Sequence, residues 1–165
     1  MKWVNGKMDM DNTKKIIVFD IDGTLANCEH RRKYVRTDPI TGKKSRRWDL
    51  FNKEIPNDTV YSDIRWLFQL LAENVECTML IATGRNEDDR IATSKWLTDH
   101  EIYYDQLYMR KSGDYRDDAI VKTEILYQID REYGTPYLWL DDRTKVVNAI
   151  RNEGIRVLQV QPGDF

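Results

Sequence analysis

Residues 16–32 read IIVFDIDGTLANCEHRR. Four apolar residues, Ile16 to Phe19, run straight into Asp20 and Asp22, two carboxylates at i and i+2, and then into a Gly-Thr turn. A short β-rich apolar run closed by turn residues predicts a buried strand with both acids at its carboxyl end. Buried carboxylates are costly unless they are paired or hold a cation, so the stretch marks a site as well as a strand.

Working outward, VECTMLIAT (75–83), QLYMR (106–110), PYLWLDD (136–142) and IRVLQV (155–160) read as further strands. Helical patterns separate them. DTVYSDIRWLFQLLAEN (58–74) carries Val60, Ile64, Leu67, Phe68 and Leu71 at helical spacing, with Asp58 or Thr59 as N-cap. Residues 86–99 predict a helix with Ile91, Trp96 and Leu97 facing inward, and 119–132 one with Ile120, Ile125, Leu126 and Ile129. TKVVNAIRNEG (144–154) predicts a last helix closed by Gly154. This alternation predicts an α/β fold: a Rossmann-like doubly wound parallel sheet with helices on both faces and ligands at the carboxyl ends of the strands.

One segment breaks the pattern. From about 26 to 56 the chain is charged and punctuated by Gly and Pro, too long for an ordinary strand-to-helix loop. It reads as a small cap insertion over the mouth of the site, anchored by Trp48, Leu50, Phe51 and Ile55. At 165 residues and 41% hydrophobic, the sequence predicts one domain spanning 1–165 with that cap.

The net charge is only −2, which gives no generalised attraction to nucleic acid or membrane. Residues 31–47, RRKYVRTDPITGKKSRR, nonetheless hold eight Lys or Arg against Asp38 alone, a patch suited to a polyanion. Cys28 and Cys77 fit no metal or redox spacing, which predicts a reducing, cytoplasmic setting. No apolar run approaches the ~18 residues of a membrane span, so no membrane partner is expected.

Four polar clusters fall at the predicted carboxyl ends. Asp20 and Asp22 follow the first strand, Thr83, Gly84 and Arg85 the second, Asp141 and Asp142 the fourth, and Lys122 lies on the helix before the fourth. Together they describe metal-assisted phosphoryl transfer. Carboxylates gathered in one place repel unless a hard cation sits among them, which points to Mg²⁺ held by Asp20, Asp22, Asp141 and Asp142. Asp20 is the candidate nucleophile and Asp22 the candidate general acid and base. Thr83 is placed to hydrogen-bond the phosphoryl group, and Lys122 to neutralise it and hold Asp20. No GxxxxGK(S/T) motif occurs, so no P-loop and no ATP-driven phosphorylation is implied.

The ordered set DIDGT, TGR, Lys122 and DDR resembles the haloacid dehalogenase (HAD) superfamily of phosphatases, over residues 16 to about 145. An acid at the position of Asp22 marks its phosphatases and phosphomutases. The chain is similar in particular to the 3′-phosphatase domain of phage T4-type polynucleotide kinase. The likeness lies in DIDGTLA with Arg31 eleven residues after the nucleophile, in Arg85 of TGR, in GDYRDDAIVK (113–122) and in DDRTKVVNAIRNEGIRVLQVQPGDF (141–165). The resemblance implies an Mg²⁺-dependent phosphomonoesterase acting through an aspartyl-phosphate on 3′-phosphorylated polynucleotide ends, with Gly84, Arg31 and Arg85 binding substrate phosphate. The insertion beyond Arg31 departs from the family's loop and is more basic. A nucleotidase is the alternative, its cap closing over one nucleotide with Trp48, Phe51 or Tyr34 stacking on the base. A receiver-like phosphoacceptor domain gathers similar residues, but its acceptor follows the third strand, not the first.

Overall fold

The computed structural model describes residues 14–37, 40–43 and 45–163, together with the backbone of two short strands, β1 (Trp3–Val4) and β2 (Lys7–Met8), which pair antiparallel. The elements that follow are β3 (Lys15–Phe19), β4 (Ala26–Asn27), α1 (Glu29–Arg32), α2 (Trp48–Lys53), β5 (Thr59–Val60) and α3 (Ser62–Ala72). Then come β6 (Cys77–Asn86), α4 (Arg90–Asp99), β7 (Gln106–Arg110), α5 (Asp118–Glu132), β8 (Leu138–Arg143), α6 (Thr144–Asn152) and β9 (Val157–Gly163).

Five strands form one parallel sheet in the order β7-β6-β3-β8-β9. The chain builds outward from β3 through β6 to β7, then returns to the other side of β3 with β8. The strand order therefore reverses between β3 and β8, where an open α/β sheet leaves a crevice at its carboxyl edge. Phe19 pairs with Leu140 in register, so Asp20 and Asp141 emerge side by side at that reversal.

The apolar runs divide by parity. Ile17 and Phe19 of β3, with Met79 and Ile81 of β6, join a core under α3 and α4 that includes Phe68, Trp96 and Leu97. Ile16, Val18, Leu80 and Ala82 face the opposite way, against Val121, Ile125, Leu126 and Ile129 of α5 and Val146, Val147 and Ile150 of α6. A strand buried on both faces has to be apolar throughout, which is why β3 and β6 show no alternation.

Several boundaries differ from the sequence reading. Helix α3 begins at Ser62 rather than near Asp58, because Thr59 and Val60 pair with Asn27 and Ala26 to close the cap's base. Asn86 ends β6, and its side chain accepts a hydrogen bond from the Asp88 amide at 2.9 Å, so α4 starts only at Arg90. That start puts Thr93, Trp96 and Leu97 inward and leaves Ile91 87% exposed, contrary to expectation. On α5, Val121 takes the buried place assigned to Ile120, which is half exposed. Within the cap, Phe51 and Ile55 are buried as expected, Leu50 is partly buried, and Trp48 is exposed.

Phe68 is fully buried and meets Phe19 edge-to-face with ring centroids 5.0 Å apart. Phe68→Ala removes that contact and leaves a cavity directly beneath β3. It is expected to cost about 3–5 kcal/mol, read as a lower urea midpoint at an unchanged m-value.

Candidate active site

At the carboxyl edge between β3 and β8, Asp20 is buried and its amide donates to the Leu140 carbonyl at 3.0 Å. Lys122 reaches it from α5. Its Nζ lies 2.9 Å from Asp20 Oδ1, 2.8 Å from Asp141 Oδ2 and 3.6 Å from Asp118 Oδ2. Asp118 stands one helical turn before Lys122, so both project from the same side of α5. Burial works against the lysine's charge, yet Asp141, Asp20 and Asp118 outweigh it and raise the ammonium pKa above its ordinary value.

Asp141 is engaged at both oxygens. Its Oδ2 accepts from Lys122 and, at 3.3 Å, from Trp139 Nε1, while its Oδ1 accepts from the Arg143 amide at 3.1 Å. Asp142 is the opposite case: its buried Oδ2 has no hydrogen-bond partner among the described residues. The Arg32 guanidinium lies 3.9 Å from it. Two glycines make room for this oxygen. A Cβ on Gly23, which has φ +89°, or on Gly163 would lie 2.1 Å from it. Burial, reinforced by Asp141, pushes the Asp142 carboxyl up to about 6. Asp20 is also raised, by burial first and by Asp141 and Asp142, with Lys122 offsetting only part.

Asp20, Asp141 and Asp142 each place a carboxylate oxygen within 4.8 Å of the others. One lysine cannot neutralise them, and the unpartnered Asp142 oxygen offers a hard ligand to a divalent cation. The donor set is all oxygen, which suits Mg²⁺.

Asp22 departs from the expected ligand set. The amides of Thr24, Leu25 and Ala26 all turn back onto the Ile21 carbonyl at 2.8–3.1 Å, so the chain leaves the line of β3 immediately after Asp20. The Asp22 carboxylate then faces two arginines. Arg31 Nη2 donates to its Oδ1, and Arg85 donates through Nη2 at 2.6 Å and through Nε at 3.1 Å. Burial alone would raise the Asp22 pKa, but the two guanidinium groups outweigh it and hold the carboxyl well below the usual range.

Asp58 completes this second cluster. It accepts from Arg31 Nε and Nη2, both at 2.7 Å, and from Arg85 Nη2 at 2.8 Å. The planar carboxylate and guanidinium match in a two-bond fork. Phe51 of the cap lies under Arg31 at 4.0 Å, and Trp96 of α4 lies under Arg85 at 5.7 Å and donates its Nε1 to the Asp58 carbonyl at 2.8 Å. Each arginine retains a buried Nη1 with no hydrogen-bond partner among the described residues.

Thr83 and Gly84 stand between the clusters. Thr83 is fully buried and its Oγ1 accepts from the Arg85 amide at 3.2 Å. Gly84 packs against Asp118: a Cβ there would lie 2.2 Å from Asp118 Oδ1. Arg110 donates to the Gly84 carbonyl and to Asp118 Oδ1, each at 3.0 Å, and Arg143 Nη1 lies 3.4 Å from Asp118 Oδ2.

The residues expected from sequence thus fall in two adjoining clusters, Asp20, Lys122, Asp141 and Asp142 in one and Asp22, Arg31 and Arg85 in the other, with Thr83 and Gly84 between them. Asp58 and Asp118 had no assigned place in it. Asp118 was accessible from its i, i+4 spacing to Lys122, whereas Asp58 had a competing local explanation as a helix cap.

Comparison with known proteins now fixes the family. Residues 14–165 match the family described as the polynucleotide kinase PNKP phosphatase domain. The chain belongs to that family. It is similar to a chain of the Pnkp1/Rnl/Hen1 RNA repair complex, at 26% identity and TM-score 0.76, over 94% of this chain and 45% of that one. The chain thus spans less than half the length of that relative. A hydrolase from Streptococcus pneumoniae TIGR4 (14% identity, TM-score 0.61, 91% of this chain and 94% of that one) shares the fold. So does a HAD-superfamily hydrolase, subfamily IA, from Geobacter sulfurreducens PCA (12% identity, TM-score 0.60, 88% and 86%). The PNKP phosphatase-domain family is one of HAD phosphatases, so the chain is a phosphatase-type HAD protein rather than a receiver domain. Among the described residues no helix is long and apolar enough to cross a membrane.

The basic cap is less charged than a count along the sequence implies. Arg31 is buried in the site, Arg32 and Arg36 pair with Glu29, and Arg47 pairs with Asp49 at 3.1 Å. Lys33, Lys43 and Arg46 are exposed; Asp38 and Lys44 lie outside the described residues.

Asp58→Ala leaves two buried guanidinium groups sharing Asp22 alone. The expected loss is about 3–5 kcal/mol of stability, seen in denaturant unfolding. A loss below about 1 kcal/mol, the range of an exposed ion pair, would show that solvent already screens the cluster.

Proposed function

We propose that the protein is an Mg²⁺-dependent phosphomonoesterase that removes 3′-phosphate from polynucleotide ends through an aspartyl-phosphate on Asp20. One observation carries this reading: Asp20, buried at the end of β3 with Lys122 Nζ at 2.9 Å, in a chain whose residues 14–165 match the PNKP phosphatase-domain family.

In this reading Asp20 Oδ attacks phosphorus and the ester oxygen leaves with a proton from Asp22. Water, deprotonated by Asp22, then cleaves the acyl-phosphate and regenerates Asp20. Lys122 holds the nucleophile in line and offsets charge on the phosphoryl oxygens. Thr83 and Gly84 flank that position, and the spare Nη1 groups of Arg31 and Arg85 are donors for the substrate phosphate. A phosphate bound at those Nη1 groups would offset the guanidinium charge that depresses the Asp22 pKa and so raise it, which suits Asp22 to carry the leaving-group proton.

Mg²⁺, held by Asp20 and Asp142, would supply the positive charge that lets a dianionic phosphate approach buried carboxylates. Asp141, which accepts from Lys122, Trp139 and the Arg143 amide, positions the lysine.

A second reading shrinks the substrate to a nucleoside monophosphate. It is favoured by Trp48, which is half exposed on the cap and packs edge-on to Phe51 with centroids 5.4 Å apart. Phe51 itself is taken, buried under Arg31. Turnover of a 3′-phosphorylated oligonucleotide and of 3′- and 5′-mononucleotides, each with Mg²⁺ and with EDTA, separates the two. A mononucleotide preference overturns the polynucleotide reading.

Asp20→Asn is expected to abolish turnover. Asp22→Asn is expected to slow an alkyl 3′-phosphate by about 10²-fold or more while slowing p-nitrophenyl phosphate much less, because a good leaving group needs no proton. Equal losses on both would remove Asp22 from the acid role.

Mg²⁺ affinity has a predicted pH dependence. Below pH about 6 Asp142 is protonated and the cation must displace that proton; above it the carboxylate is free. Isothermal titration is therefore expected to show binding that tightens from pH 5 to 7 with proton release, and Asp142→Asn is expected to lose both.

A further inference from the structure

At the carboxyl edge of the sheet, the loop between β7 and α5 (Lys111–Asp117) holds Tyr115 with 91% of its surface exposed. Exposed tyrosines are common, but this loop is pinned on both sides of the ring. Arg110 Nη1 donates to the Asp114 carbonyl at 3.2 Å and to the Arg116 carbonyl at 2.8 Å. The Arg116 guanidinium binds Asp114 Oδ2 and Glu124 Oε1 on α5, each at 2.7 Å. Ser112 Oγ donates to Asp88 Oδ1 at 2.5 Å, tying the loop to the segment after β6. The backbone is fixed while the ring projects into solvent.

The same Arg110 links this loop to the catalytic cluster. It binds the Gly84 carbonyl and Asp118, and Asp118 Oδ2 lies 3.6 Å from Lys122 Nζ. Tyr115 is three residues from Asp118, at most about 11 Å along the chain, so the ring is carried close beside the acidic cluster. Trp48 on the cap, half exposed, is the ring on which the mononucleotide reading rests; the remaining candidates are less suited. Phe51 is covered by Arg31, Tyr34 is half-buried, and Tyr103, Tyr133 and Tyr137 precede β7 and β8, at the opposite end of the sheet.

We propose that Tyr115 is a stacking platform for a base near the 3′ end of the substrate strand, carried on a loop whose backbone is held by Arg110 and Arg116. The inference rests on the polynucleotide reading and deepens it. Stacking on an aromatic face tolerates any base, so the platform favours a strand over a mononucleotide without selecting a sequence. Fixing the loop backbone in advance lowers the ordering cost of binding.

The test compares wild type, Tyr115→Ala and Tyr115→Phe on a 3′-phosphorylated oligonucleotide and on p-nitrophenyl phosphate. Tyr115→Ala is expected to raise the oligonucleotide KM by about 5- to 100-fold with a much smaller change in kcat. The loss on p-nitrophenyl phosphate should be at least about fivefold smaller, and Tyr115→Phe should restore the oligonucleotide KM. Oligonucleotides with an abasic residue at each of the last three positions in turn locate the stacked base. At one position the wild type should lose what Tyr115→Ala loses, and the variant should lose little more.

Equal losses on both substrates, no KM change on the oligonucleotide, or failure of Tyr115→Phe to restore it would overturn the platform. If the wild type shows no KM advantage for the oligonucleotide over a 3′-mononucleotide, the polynucleotide reading fails and the platform falls with it. If the wild type shows that advantage and Tyr115→Ala keeps it, only the platform fails.

Discussion

One ammonium among too many carboxylates is the constraint on which the site depends. The parallel sheet delivers Asp20 and Asp141 side by side at the strand reversal, and α5 adds Asp118 beside the only lysine that reaches them among the described residues. Lys122 can satisfy Asp141 and lean on Asp20, but Asp142 is left with a buried oxygen and a carboxyl pushed up to about 6. Desolvated like charges are tolerated only if a proton or a cation makes up the difference. The fold therefore leaves an Asp142 oxygen without a hydrogen-bond partner in a carboxylate-rich pocket, the condition under which a divalent cation is favourable there.

The motif's i, i+2 spacing separates two environments. Asp20 stays in line with β3 and joins the acid-rich cluster. Asp22, past the turn onto the Ile21 carbonyl, joins a balanced cluster of two arginines and two carboxylates. The two acids are thereby pushed in opposite directions, Asp20 upward and Asp22 downward. Two nearby carboxylates with divergent pKa values are what assigns different roles to chemically identical groups. The arginine cluster is also the cap's anchorage, because Phe51 of α2 rests on Arg31 while Trp96 of α4 holds Asp58 and Arg85. Cap placement and the geometry of the two arginines depend on one set of contacts.

Much of this was legible in the residues because the signals were local. The strands at 16–19 and 106–110 follow from apolar runs bounded by turn residues, and the site motifs follow from their place at strand ends. What escaped was governed by distance in sequence. Asp58 precedes a helix and reads as a cap, and only the fold brings it to Arg31 and to Arg85, each 27 residues away along the chain. Ile91 has the right residue type for a core, but β6 runs on to Asn86 and shifts the frame of α4. The cap's charge was overcounted because Glu29 and Asp49, just outside the counted window, neutralise several of its arginines.

The glycines of the two motifs carry a further lesson about how such a site is specified. Gly23 and Gly84 both read as turn residues, and Gly23 does adopt φ +89°. Gly84 does not need a positive φ; it is required because Asp118 Oδ1 occupies the space of its absent Cβ. Gly23 meets Asp142 Oδ2 in the same way. Each motif glycine thus admits a carboxylate delivered by a different element, Asp142 from β8 and Asp118 from α5. The motifs DIDGT and TGR are therefore coupled to DDR and to the residues around Lys122 by close packing as well as by charge. That coupling explains why four short stretches, each unremarkable alone, describe a single site when they occur in order.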